Sequence, residues 1–196
     1  RQIDPVNNAD GGAPGGNIRQ GFLFRTDRGL AFVDVPGGTA TSSTAVVGSG
    51  AATSLSFSPG RIDPANIAFL SSRKPLAGHF TYMGNSLFVI ANHFNSKGGD
   101  DPLFGRFQPP TLFSEVQRLL QAAVVQGFVA SLMAADPDAN IVVLGDLNDF
   151  HFSAPLTTLK SGGLVALMET LPIAERYSYV YDGNSQPLDH ILVNTT

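Results

Sequence analysis

The stretch Ile141-Val142-Val143-Leu144-Gly145-Asp146-Leu147-Asn148-Asp149-Phe150 joins an apolar, β-branched run to two carboxylates and an amide. A carboxylate can hold a divalent cation or orient and deprotonate a water, and a neutral amide can hydrogen-bond a charged oxygen. Asp146 and Asn148 therefore offer both functions that phosphodiester hydrolysis needs: stabilised negative charge and an attacking water. The alternative is a polar turn that closes a core strand.

Three further places carry candidate chemistry. His93 ends an apolar run in Asn92-His93-Phe94-Asn95-Ser96-Lys97-Gly98-Gly99-Asp100-Asp101. Followed by Asn95 and Lys97, such a histidine can give a proton and bind phosphate oxygens, or it can be a surface histidine in a polar loop. Arg73, in Ser72-Arg73-Lys74-Pro75, can fork onto a phosphate or make a surface salt bridge. In Pro187-Leu188-Asp189-His190-Ile191-Leu192-Val193 the adjacent Asp189 and His190 point to opposite faces of a strand, so they cannot both line one pocket. Asp189 is the expected site residue, because a carboxylate can fix the tautomer of a catalytic imidazole. Its alternative role is to receive backbone hydrogen bonds at a strand end.

These residues need rigid elements behind them. Ile141-Val142-Val143-Leu144 reads as a strand buried on both faces. Leu76–Tyr82 and Leu87–Asn92 read as a hairpin turning near Gly84-Asn85. A helix is expected over Leu112–Ala135, with Val116, Leu119, Leu120, Ala123, Val124, Phe128 and Leu132 as its core stripe. Asp136-Pro137-Asp138 ends it, since the residue before proline disfavours helix. Ile18–Arg25 and Gly29–Val35 read as paired strands. Residues 7 to 16 read as a flexible loop. The Gly-, Ser-, Thr- and Ala-rich stretch from Pro36 to Asn66 reads as a surface excursion. A helical segment around Pro155–Lys160 and strands near Leu164–Met168, Tyr177–Tyr181 and Leu188–Asn194 complete the chain. Strands of this kind around a long helix indicate α/β layers in one domain over residues 1–196.

Composition narrows the function classes. With 196 residues and 43% hydrophobic content the chain is long and apolar enough for one substantial core. No apolar run approaches the ~20 residues that a membrane helix needs. A net charge of −4 argues against a passive nucleic-acid binder, but not against an enzyme that meets phosphate through a metal ion. The lack of cysteine rules out disulfides and thiolate metal sites. There is no G-x-S-x-G, Walker lysine motif, G-x-G-x-x-G or H-E-x-x-H.

Taken in order, FLFR, SRKP, NHFNSKGGDD, GDLND and PLDHILV resemble the endonuclease/exonuclease/phosphatase superfamily of the deoxyribonuclease I type, and most of all its bacterial extracellular nucleases. The resemblance implies a four-layer α/β sandwich, two packed mixed β-sheets flanked by helices. It implies metal-dependent hydrolysis of phosphodiesters or phosphomonoesters, with Mg²⁺ or Mn²⁺ and sometimes Ca²⁺. It makes His93 the strand-end histidine acting on the phosphate or leaving group. Asp146 becomes the aspartate for water or metal, and Asn148 the amide on the phosphate and metal. Arg73 lies near the substrate backbone, Asp189 supports a catalytic histidine, and Asn95 and Lys97 contact phosphate. The family's early Asn, its metal-binding Glu and its closing Ser-Asp-His motif have no counterpart here, so the chain reads as the middle section of a longer, incomplete domain. The expected activity is that of an extracellular or periplasmic nuclease acting on nucleic acid. A phosphomonoesterase, a lipid- or inositol-phosphate hydrolase and a non-catalytic binding module are the alternatives.

Overall fold

Residues with alternating faces build the frame. In a computed structural model describing residues 1–7, 10 and 17–195, the strands are β1 (Leu30–Val33), β2 (Val46–Val47), β3 (Ser54–Leu55), β4 (Gly60–Arg61), β5 (Leu76–Tyr82), β6 (Asn85–His93), β7 (Asn140–Asp146), β8 (Leu164–Ala166), β9 (Tyr179–Tyr181), β10 (Asn184–Gln186) and β11 (Asp189–Asn194). The helices are α1 (Glu115–Ala135) and α2 (Ala154–Ser161). Seven strands form one mixed sheet in the order β1-β5-β6-β7-β11-β8, with β4 also on β5. Among the described strands β6 and β7 pair in parallel, because α1 carries the chain across between them.

Alternation along the strands sorts side chains to two faces. Phe88, Ile90, Ile141, Val143 and Leu192 join the cluster that contains Ala122, Val125, Val129 and Leu132 of α1 and Leu156 and Leu159 of α2. The opposite face carries Leu76, Phe80 and Ala91, with Leu87, Val89 and Leu144 half-buried around them. Ile3, Phe22 and Phe24 from the N-terminal segment cover part of that second face, and Phe22 meets Phe80 edge-on at 5.4 Å. Sheet plus outer helix layer is the α/β arrangement expected, and it is compatible with one half of a four-layer sandwich.

Several expectations are corrected. Residues 18–25 are extended but form no strand; only Gly21 bridges, to Gln2, and β1 pairs with β5 instead. The 36–66 stretch is not a bare excursion: Leu55 and Ile62 are in the core, and Thr44, Ser58 and Arg61 are buried. Its short polar side chains are tolerated because they bond locally, as Thr44 Oγ1 does to Phe57 O at 2.8 Å. β7 is buried on its helix side only, with Val142 and Leu144 half-exposed on the other. Of the loop expected over 7 to 16, residues 8, 9 and 11–16 lie outside the described residues.

The largest correction concerns α1. Val116, Leu119, Leu120 and Ala123 of the expected stripe are exposed, whereas Arg118, Gln121, Ala122, Val125, Val129 and Leu132 are buried. Apolar periodicity alone misses this face because its N-terminal half is polar and every polar group there is hydrogen-bonded (see below). The helix is long and apolar enough to cross a membrane by composition. Its buried face against the sheet identifies it as a core helix.

Candidate active site

The parallel pairing of β6 with β7 and the antiparallel pairing of β7 with β11 fix one row across three strands. His93 is the register partner of Asp146, and Asp146 is the register partner of Asp189. Strand alternation puts all three on the second face, the side away from the helices. One position along, Asn92, Gly145 and His190 form the row on the helix side. His190 is buried there, with Nε2 2.8 Å from Asp149 O and 3.1 Å from Pro187 O. The split between an outward Asp189 and a structural His190 follows from this alternation.

Gly145 allows the strands to close. Its φ is +130°, and a Cβ there would lie 2.0 Å from Asn92 O. Beyond Asp146 the chain turns sharply: Asn148 sits at φ +51° and its amide donates to Asp146 Oδ1 at 2.9 Å. Asparagine tolerates this left-handed conformation better than most residues do. Its Nδ2 donates to Phe94 O at 3.1 Å, so the amide oxygen is the end left out of that bond. Arg73 Nη2 also donates to Phe94 O. One carbonyl thus draws Asn148 and Arg73 together beside His93.

His93 Nε2 stands 3.6 Å from Asp146 Oδ2, with both side chains partly exposed. Burial, and next the Arg73 charge, hold the His93 imidazole below its ordinary value, against the pull of Asp146 and Asp189. Burial pushes the Asp146 carboxyl up; the Asn148 amide and His93 oppose this, and the Asp189 carboxylate adds to it. Burial lowers Arg73, which the Asp146 charge resists. Burial and Arg73 thus favour the neutral form of His93, beside a carboxyl that burial raises.

The other expected residues lie on the rim. Asn95 follows β6, and its backbone amide donates to Gln121 Oε1 at 2.9 Å. Lys97, expected on phosphate, turns its ammonium to Asp149 at 3.3 Å and Asp100 at 3.7 Å, over the Phe150 ring at 4.6 Å. Its charge is already matched inside the protein. Sequence reasoning missed Arg118 and Gln121. The available signal was weak: Arg118 is the one basic residue in the helix, and its polar neighbours Gln117 and Gln121 do not by themselves mark a buried face.

Among the described residues no group of three His, Asp or Glu side chains is gathered to hold a metal ion. The oxygens of Asp146, Asp189 and Asn148 are nevertheless hard donors. Mg²⁺ commonly takes one or two carboxylates and completes its shell with waters and substrate phosphate. The donor set fits a cation of that kind.

The sequence signature described as "Endonuclease/Exonuclease/phosphatase family" matches residues 54–196, which include Arg73 and the whole His93–Asp146–Asp189 row. The chain belongs to this family. No curated protein matches it. Among solved structures, a Bacteroides thetaiotaomicron mannosyl-6-phosphatase is 18% identical with a TM-score of 0.52, over 99% of this chain and 62% of its own. The human Nocturnin catalytic domain with bound sulfate is 13% identical with a TM-score of 0.51, over 87% of this chain and 50% of its own. D. rerio TDP2 complexed with a single-stranded DNA product is 17% identical with a TM-score of 0.50, over 87% of this chain and 55% of its own. These similarities establish a shared endonuclease/exonuclease/phosphatase fold, and this chain spans between half and two thirds of each of those three chains.

Proposed function

We propose that this chain carries the phosphate-handling side of a metal-dependent phosphodiesterase that acts on nucleic acid. The observation that carries the reading is the single row His93–Asp146–Asp189 flanked by Asn148 and Arg73. Asp146, with Asn148 Oδ1, would hold a Mg²⁺ or Mn²⁺ ion, and Asp189 stands close enough to Asp146 to share its charge. Such an ion neutralises phosphate charge and activates water. Arg73 orients a phosphate oxygen, Asn148 hydrogen-bonds one, and neutral His93 takes a proton from the attacking water and then gives it to the leaving oxygen. The NHFNSKGGDD phrase favours an extracellular or periplasmic nuclease over other phosphate-ester hydrolases.

The test compares plasmid DNA, a single-stranded oligonucleotide, bis(p-nitrophenyl) phosphate and p-nitrophenyl phosphate, with Mg²⁺, Mn²⁺ or Ca²⁺ and with chelator. Chelator-sensitive cleavage of nucleic acid and diester supports the reading. Cleavage of the monoester alone turns it toward a phosphomonoesterase. Tight oligonucleotide binding without turnover of any ester turns it toward a binding module.

A further inference from the structure

The guanidinium of Arg118 is fully buried and every edge of it is used. Its Nε donates to Asp149 Oδ2 at 2.7 Å and its Nη2 to Asp100 Oδ2 at 3.0 Å. Its Nη1 reaches Ser114 Oγ at 2.5 Å, Ser96 O at 3.2 Å and Asn95 O at 3.5 Å. Asp149 also accepts from Lys97 and, through Oδ1, from the Phe150 amide at 3.0 Å. Two cations and two carboxylates balance one another. Burial pushes the Asp100 carboxyl up, yet bonds from Ser114 and Arg118 outweigh it and leave Asp100 below the ordinary carboxylate range.

One turn further along α1, Gln121 repeats the pattern. It accepts from the Asn95 amide and donates to Ala68 O at 3.0 Å and Ser72 Oγ at 2.9 Å. The two side chains thus touch all three segments that deliver the site. These are the turn after β6 (Asn95, Ser96), the turn after β7 (Asp149, next to Asn148) and the approach to Arg73 (Ser72).

We propose that Arg118 is a positioning residue for this site, acting with Gln121 to hold the Asn95, Asn148 and Arg73 segments at their mutual spacing. The proposal rests on the phosphate-hydrolysis reading above. Buried ion pairs contribute little net stability compared with apolar packing, so a four-charge network beneath a site fits a role in geometry. Lysine cannot replace the fork, because one ammonium has a single point of charge where Arg118 spans Asp149, Asp100 and two carbonyls. Lys97 belongs to the network rather than to the substrate.

The experiment uses Arg118→Lys, Arg118→Met and Asp149→Asn, with His93→Ala as the control for the site itself. Each variant is measured for kcat and KM on bis(p-nitrophenyl) phosphate and for amide hydrogen exchange at Asn148 and Asn95. Outer partners of functional groups typically matter by ~10–100-fold, so R118K is expected to lose that much in kcat with KM changed less than about 3-fold. Faster exchange at both amides should accompany it. R118M is the harsher variant and R118K the one expected to fold. Wild-type kcat and wild-type exchange in folded R118K overturn the proposal. If wild type and H93A are equally inactive, the hydrolysis reading fails, and exchange at Asn148 and Asn95 alone decides whether Arg118 sets the geometry.

Discussion

His93 and Asp146 are partners in the parallel register of β6 and β7, with Nε2 and Oδ2 3.6 Å apart. Two residues separated by the whole of α1 meet because both end their strands at the same level. A parallel pair joined by a crossover helix presents both strand ends on one edge, and in open α/β sheets that edge is where ligands bind. The third member, Asp189, arrives antiparallel and begins its strand there.

The first prediction concerns this pair. His93→Ala or Asp146→Ala should lower kcat/KM on a diester by ~10²–10⁴-fold, the usual loss for a general acid–base group. Because burial and then the Arg73 charge hold His93 down, Arg73→Gln should raise the His93 titration midpoint. NMR titration of the imidazole reads this without relying on activity. An unchanged or lower midpoint would show that Arg73 does not set the His93 charge state.

Much of this was legible in sequence. Apolar runs ending in His93 and Asp146 marked strand ends, and strand alternation alone separated Asp189 from His190. The failures have a common cause: hydropathy treats a polar residue as a surface residue. Arg118 and Gln121 are buried because their hydrogen bonds are completed by residues distant in sequence, which no local period reveals. The 36–66 stretch was misjudged because hydropathy discounts its small polar residues, yet Thr44 is buried with a bond to Phe57 O inside the stretch and Ser58 Oγ accepts from the His79 amide of β5. Residues 18–25 alternate like a strand, yet β5 takes β1 as its neighbour and leaves them as a covering segment on the second face.

A second prediction follows from the histidines. His79, His93, His151 and His190 are all held below the ordinary imidazole value, burial being the first cause in each. As pH falls, the unfolded chain therefore takes up protons before the folded one does. The stability tied to neutral imidazoles is fully present above about pH 6.5 and is lost as pH drops through the depressed folded values. His190 is well placed to contribute, because its buried Nδ1 has no hydrogen-bond partner among the described residues and would have to carry the new proton. The urea midpoint should decline between pH 7 and pH 5, and His190→Gln should flatten that decline while lowering stability throughout. Asp146, whose carboxyl is raised, acts in the opposite sense, so D146N serves as a control. A midpoint independent of pH over this interval would refute the assignment.

Gly145 supplies a third. Alanine there would combine a left-handed φ with a contact of 2.0 Å to the Asn92 carbonyl. Non-glycine residues held in such regions cost about 1–3 kcal/mol before any clash is counted. G145A should thus destabilise by at least that much in urea, and any folded fraction should show lower kcat because Asp146 is the next residue. Glycine at 84, also at positive φ but with open space around it, is the matched control and should show the strain cost alone. Equal losses at the two positions would mean that the β6–β7 approach is looser than the structure has it.

The last prediction separates the two carboxylates. Asp189 raises the Asp146 carboxyl by like-charge repulsion, after burial has already done so. Asp189→Asn keeps the shape and removes the charge, so the Asp146 titration should move down, toward the ordinary carboxylate value. If the two acids share a cation, the same substitution should also weaken Mn²⁺ binding, since a divalent ion loses one of two negative partners. Carboxyl ¹³C titration reads the first effect and Mn²⁺ paramagnetic relaxation the second. A downward shift of Asp146 with unchanged Mn²⁺ binding would leave Asp146 and Asn148 as the metal side and confine Asp189 to tuning the charge of the His93–Asp146 pair. No shift at all would mean that solvent screens the two carboxylates from each other, and that their shared register carries no electrostatic coupling.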